Sequence, residues 1–270
     1  LGDHPYGSPI FPAPAELRDV TIEQVDTFRG EYLRGGNLIV SLVSPMPGGE
    51  ALDLLEKLFS GLPAGESVGC PPLPEPGPHR EVADTTQKEG AYLAAGWLLR
   101  EEDPDRLAAL VVASQVLSRR MQLELREKQG LTYSTGCGVT LLPGGAVAMA
   151  TIGTRCGNLE AAKSGLEAEI ERLAFEPPGA EEVEIAKSRL LGRRARSELS
   201  SINEASAVCR DLFMTGEAVP MNARIAGVTA EETLNALPRL ALDRAILVKL
   251  LPGNGGEEES MPPAMRMKMR

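Results

Sequence analysis

The stretch 118-SRRMQLELREKQGLTYSTG-136 reads as the end of a charged helix, a glycine, and the start of a strand. Upstream, Asp103 is placed to cap a helix whose first residue is Pro104, a position where proline's missing N–H costs nothing. Leu107, Leu110, Val111, Leu117, Met121 and Leu125 then follow close to the helical period, and Gly130 is placed to cap the end. Downstream, 131-LTYSTGCGVTLL-142 and 146-AVAMATIGT-154 read as two strands joined by Pro143-Gly144-Gly145, a hairpin signal. A further strand of small residues is predicted over 89–99. Helices are predicted over 158–174, with Leu159, Ala162, Leu166, Ile170 and Leu173 as the buried stripe, over 180–200, and over 203–215. The basic cluster Arg189, Arg193, Arg194 and Arg196 suits the C-terminal end of a helix dipole and reads as a solvated helix end.

Composition narrows the class. The 270 residues carry a net charge of −10, from 38 acidic and 28 basic side chains. That balance disfavours nucleic acid as a partner, because phosphate binding needs a basic surface. Aromatics are 4%, so the core is built from Leu, Val, Ile and Ala. No apolar run approaches the ~20 residues of a membrane span. There is no signal peptide, and the chain opens Leu-Gly-Asp without a methionine, so its natural N-terminus is not expected here and its compartment is not read from this end. Cys70, Cys137, Cys156 and Cys209 form no C-x-x-C pair and read as single thiols.

Two distant stretches are alike. The first, 20-VTIEQVDTFRGEYLRGGNLIVSLVSP-45, and the second, 228-VTAEETLNALPRLALDRAILVKLLP-252, each run from Val-Thr-x-Glu through a short helix and a break to an apolar strand closed by proline. The threonine-to-proline distance is 24 in one and 23 in the other. In the first, Thr21 is the expected N-cap, Val25 and Phe28 are expected to face inward, and 37–45 is expected to be a buried strand. In the second, Thr229 and Glu232 form a capping box ahead of a strand over 243–252. A short amphipathic helix is predicted near 50–58. The repeat suggests two similar halves. The expected division is residues 1–59 as the end of a first half, a Pro/Gly-rich linker over 60–82, a complete second half over 83–252, and a disordered tail over 253–270.

Candidate chemistry is sparse. A catalytic zinc takes three protein ligands, but the only histidines, His4 and His79, stand in loop-like stretches and belong to no H-x-x-E-H pattern. There is no nucleophile elbow and no phosphate loop. Arg126 and Tyr133 remain. Residue alternation puts Tyr133 with Cys137, Val139 and Leu141 on the apolar side, so it reads as core as readily as a site, and Arg126 reads equally as a partner of the helix dipole.

The segment 118–136 resembles the M16 metallopeptidases, the family of insulin-degrading enzyme, pitrilysin and the mitochondrial processing peptidases. Their second half carries a similar Leu-Arg-Glu-Lys-x-Gly-Leu-x-Tyr-Ser run. The motifs 3-DHPYGSP-9, 180-AEEVEIAKSRLLG-192 and 228-VTAEETL-234 extend the resemblance along nearly the whole chain. Arg119, Arg120, Met121 and Gln122 depart from that family's usual Ser-Arg-Leu-Phe. The resemblance implies an α+β fold with an antiparallel sheet backed by helices and a two-half architecture whose first half is incomplete here. It implies an endopeptidase whose zinc is bound by a first-half motif that this chain lacks. Arg126 would then hold a substrate carbonyl, and Tyr133 would donate a hydrogen bond to the developing oxyanion. The partners implied are a peptide or protein substrate and either the missing N-terminal half or a zinc-bearing subunit. The alternative is a non-catalytic structural or peptide-binding subunit of the same fold.

Overall fold

The computed structural model describes residues 1, 4–8, 14–86, 89–101, 103–217 and 219–253. In chain order the elements are α1 (Pro14–Leu17), α2 (Ile22–Tyr32), α3 (Gly48–Phe59), β1 (Arg80–Thr86), β2 (Ala91–Arg100), α4 (Pro104–Met121), β3 (Ser134–Leu142) and β4 (Gly145–Thr154). They continue with α5 (Leu159–Phe175), α6 (Ala180–Ser197), α7 (Ser201–Thr215), α8 (Met221–Gly227), α9 (Ala230–Ala236) and β5 (Ile246–Pro252). The chain divides into two units: Leu1–Pro74 with Arg194–Pro220, and Glu75–Arg193 with the residues from Met221 on. The predicted tail lies outside the described residues, apart from Gly253.

The second unit is built on a five-stranded sheet ordered β1-β5-β2-β4-β3. The hairpin β3–β4 and the pairs β2–β4 and β2–β5 are antiparallel, as expected for the family's α+β pattern, while β1 and β5 run parallel. Alternation along each strand sets the two faces. Leu93, Ala95, Trp97, Ala148, Ala150, Ile152 and Leu247 turn to one side and are buried. They pack with α4, α5 and α8 through Leu110, Leu117, Met121, Leu166 and Ile225. Each such large side chain contributes roughly 1.5–3 kcal/mol by leaving water. The single tryptophan, Trp97, keeps its ring in this core because Nε1 donates to the Ala241 carbonyl at 2.9 Å. Residues of the opposite face, among them Tyr92, Ala94, Met149 and Thr151, are half-buried or exposed.

The helix ends follow the expected capping. Asp103 accepts from the Asp105 and Arg106 amides ahead of Pro104. Thr229 accepts from the Glu232 amide at 3.2 Å while the Glu232 carboxylate accepts from the Thr229 amide at 2.8 Å. Thr21 and Gln24 make the same reciprocal pair ahead of α2. Arg120, a departure from the family pattern, grips Glu182 in two parallel bonds of 2.9 and 2.8 Å and so ties α4 to α6.

The first unit corrects two expectations. Residues 38–44 form no strand, and Ile39, Val40 and Leu42 are each 42% exposed. A strand exists only with a partner to hydrogen-bond, and the described residues of this unit contain no other strand. Val25 and Phe28 point outward instead of inward, at 51% and 63% exposed. Neither α2 nor α3 buries any residue.

Replacing the Thr229 hydroxyl tests the cap that leads into β5. Thr229→Ala should lower stability by about 1 kcal/mol, read as an earlier midpoint in urea with an unchanged slope.

Candidate functional site

The site is assembled where α4 runs into the hairpin. Beyond Met121 the helix widens into a π-helical turn over Gln122–Lys128. The Gln129 amide reaches back to the Glu124 carbonyl at 3.1 Å, and the Leu131 amide to Leu125 at 2.8 Å. Gly130, at φ +63, makes the reversal without steric cost. Leu125 anchors this wide turn. Its side chain is fully buried and lies over Gly165 of α5, where a Cβ would come within 2.5 Å of Leu125 Cδ2. Arg126 is the next residue. It is exposed and makes no hydrogen bond or ion pair among the described residues. Lys128 and Gln129 are instead bound to the Glu124 carboxylate, at 2.8 and 3.0 Å, and their bonds hold that carboxyl below its ordinary pKa.

After Gly130 the chain is fastened to β4. Thr154 Oγ1 donates to the Leu131 carbonyl. Thr132, itself buried, bonds through Oγ1 to the Gly153 carbonyl at 2.7 Å, and the Tyr133 amide donates to the same carbonyl at 3.2 Å. Ser134 is the register partner of Gly153. With three successive residues gathered at one, the strict alternation of a strand is broken just before β3. Tyr133 therefore does not join Cys137, Val139 and Leu141 on the core side. It is 52% exposed, and its ring crosses the backbone of Gly153, where a Cβ would lie 2.9 Å from Cε2. Its hydroxyl stands 3.0 Å from the position of a Cβ on Gly90.

Two neighbours of Tyr133 were not singled out in the sequence. Tyr92 is the register partner of Gly153, the residue the Tyr133 ring crosses, and both Tyr92 and Cys156 lie close enough to act on the Tyr133 phenol. Hydrogen bonding with Tyr92 pushes the Tyr133 phenol above its ordinary pKa, helped by desolvation and by the potential of Tyr92 and Cys156. The signal for Tyr92 was its place in the β2 strand. Which residue of β4 it faces depends on register, and pairing Tyr92 with Gly153 requires the fold.

The residues present do not fit a metal centre. Among the described residues no three of His, Cys, Asp and Glu gather as a ligand set. His4 Nδ1 accepts from the Tyr6 amide while Nε2 faces the Pro72 carbonyl at 3.2 Å, and His79 Nδ1 faces the Ala245 carbonyl at 2.8 Å. Both rings are taken up by backbone.

A sequence profile described as "Peptidase M16 inactive domain" matches residues 19–190. The chain belongs to the M16 peptidase family, in its inactive domain. Solved structures agree on this fold. The peptidase M16 inactive domain from Pseudomonas fluorescens is 20% identical, with a TM-score of 0.77, and the match covers 93% of this chain and 63% of that one. A protease from Helicobacter pylori is 16% identical, with a TM-score of 0.73, over 88% of this chain and 61% of that one. A ferredoxin protease in complex with Arabidopsis ferredoxin is 13% identical, with a TM-score of 0.63, over 92% of this chain and 29% of that one. At these identities the likeness is one of fold, and the chain spans under two thirds of each of these structures. No curated protein matches the chain in sequence. No helix among the described residues is long and apolar enough to cross a membrane.

In this M16 inactive domain Gly153 lies beneath the Tyr133 ring. Gly153→Ala should cost about 1–3 kcal/mol, because its Cβ would be forced against Tyr133 and Ser134. Gly138→Ala, in the same hairpin but with open space around it, should stay within about 0.5 kcal/mol of the parent in the same urea titration.

Proposed function

We propose that this chain is the substrate-binding and transition-state-stabilising portion of an M16-type endopeptidase. The observation that carries the reading is the outward presentation of Tyr133, seven residues after an exposed Arg126 that makes no ion pair among the described residues. Attack on a peptide carbonyl turns its oxygen into an oxyanion, and a positioned donor there is typically worth ~10²–10³ in rate. The Tyr133 phenol suits that task. Its raised pKa keeps the proton in place through the neutral and mildly alkaline range. Arg126 would hold a neighbouring backbone carbonyl of an extended substrate.

The metal belongs outside this chain in this reading. The cofactor of the complete enzyme would be zinc, bound by the other half of the same polypeptide or by a partner subunit. The first unit supports an additional half. Its segment 38–44 corresponds, in the internal repeat, to β5, which the second unit holds between β1 and β2. We assign residues 1–59 to the end of a first half and 83–252 to the second. The substrate class is peptide or protein; the ferredoxin protease of the same fold is itself seen in complex with a protein.

Two measurements test this. Incubated alone with labelled casein and zinc, the chain should give no chelator-sensitive cleavage; robust cleavage would sink the proposal. In the complete, zinc-bearing protein, Tyr133→Phe should lower kcat by ~10²–10³ with KM little changed. A loss confined to peptide binding would instead favour a non-catalytic, peptide-binding subunit.

A further inference from the structure

The position of Tyr133 poses a mechanical problem. It precedes β3 on the solvent-facing side of the hairpin, its ring rests on a residue with no side chain, and it is 52% exposed. Nothing behind the ring fixes the hydroxyl. An oxyanion donor that is free to swing loses much of its effect, because the benefit comes from having it in place beforehand.

Tyr92 supplies the missing stop. It is the register partner of Gly153 on one side and of Leu250 on the other, so its backbone is held by two strands. Its side chain is half-buried and emerges on the same face of the sheet as the Tyr133 ring. Gly90, two residues before it at φ +90, leaves room for the Tyr133 hydroxyl where any side chain would intrude. Two phenols thus meet over two glycines, one mounted on a paired strand and one not.

We infer that Tyr92 is a positioning residue for Tyr133, setting its hydroxyl by a hydroxyl–hydroxyl bond and donating into the Tyr133 oxygen when Tyr133 donates to substrate. The inference rests on the proposed role of Tyr133. In the resting chain the Tyr133 O–H donates to the Tyr92 oxygen. With substrate bound, both hydroxyls rotate, Tyr92 O–H donates to Tyr133, and Tyr133 O–H turns to the oxyanion. No proton leaves either ring. A donor that itself accepts a hydrogen bond is a stronger donor.

The resting bond is testable in this chain without any activity. In NMR titration of ring-labelled tyrosines, assigned by single Phe variants, the Tyr133 phenol should titrate at lower pH in Tyr92→Phe than in the parent. An unchanged Tyr133 titration overturns the inference. In the complete peptidase acting on labelled casein, Tyr92→Phe should lower kcat by about fivefold, the worth of one net hydrogen bond, with KM little changed. Placed on Tyr133→Phe, it should add nothing further. Loss of turnover in Tyr133→Phe with none in Tyr92→Phe overturns the inference and leaves the role of Tyr133 standing. No loss in Tyr133→Phe removes that role and the inference with it, whatever the titration shows.

Discussion

The candidate site depends on one acceptor, the carbonyl of Gly153. It takes a hydrogen bond from Thr132 Oγ1 and another from the Tyr133 amide, while Ser134 holds the register position opposite the same residue. A strand that paired one residue with one would have sent Tyr133 into the core with Cys137 and Val139. The doubled attachment breaks the alternation once, and the break decides which side of the sheet receives the phenol. Burial of Thr132 makes the attachment firm, since a buried hydroxyl without its partners would carry a desolvation penalty of about 1–3 kcal/mol.

The break has a counterpart on the helix side. An α-helix continued past Met121 would hold Arg126 about 100° around the axis from Leu125, off the buried stripe. The π-helical turn inserts extra backbone there, and Leu125, seated against Gly165, keeps the widened turn attached to the core. Such π-helical turns inside helices are frequent at functional sites. Tyr133 is thus freed from the core by an irregularity in its strand, while Arg126 stands exposed in the widened turn of its helix. Between them lies Gly130, whose φ of +63 closes the turn.

This is why the sequence made the scaffold legible and the site only partly so. Caps are local chemistry. Asp103-Pro104 and Thr229-x-x-Glu232 announce helix starts within four residues, and the structure has both. Pro143-Gly144-Gly145 announced the hairpin in the same way, although alternation alone pointed Tyr133 to the wrong side of it. Irregularities lack such a signal, because the bond that breaks the pattern, Thr132 to Gly153, spans 21 residues. Tyr92 was hidden for the same reason. β1 escaped notice because 80-REVADTT-86 has a single large apolar residue; its parallel pairing with β5 supplies what its composition does not. The likeness to M16 peptidases did identify Arg126 and Tyr133, but as types at a spacing, without their surroundings.

The segment 37–45 shows the opposite failure, in which the local signal was sound and the context absent. Its residues are those of a buried strand, yet residues 38–44 join no regular element. Its internal counterpart, β5, has much the same character and buries Leu247 completely, because β1 and β2 bond it on both sides and α-helices cover one face. The difference lies in the partners available to each. Within the first unit, residues 38–44 are tied to α7 through the Ser41 hydroxyl on the Ala205 carbonyl at 2.6 Å and the Cys209 thiol on the Ile39 carbonyl at 3.7 Å. Side-chain bonds of that kind hold a chain in place but leave most of its amides and carbonyls without the ladder a strand requires. Ile39, Val40 and Leu42 are accordingly left half-exposed, as are Leu54 and Phe59 on α3. Apolar residues of the same kind make a central strand in one unit and an unpaired segment in the other. A central strand is the property of a sheet, and a sequence pattern can specify a candidate for it without supplying the neighbours.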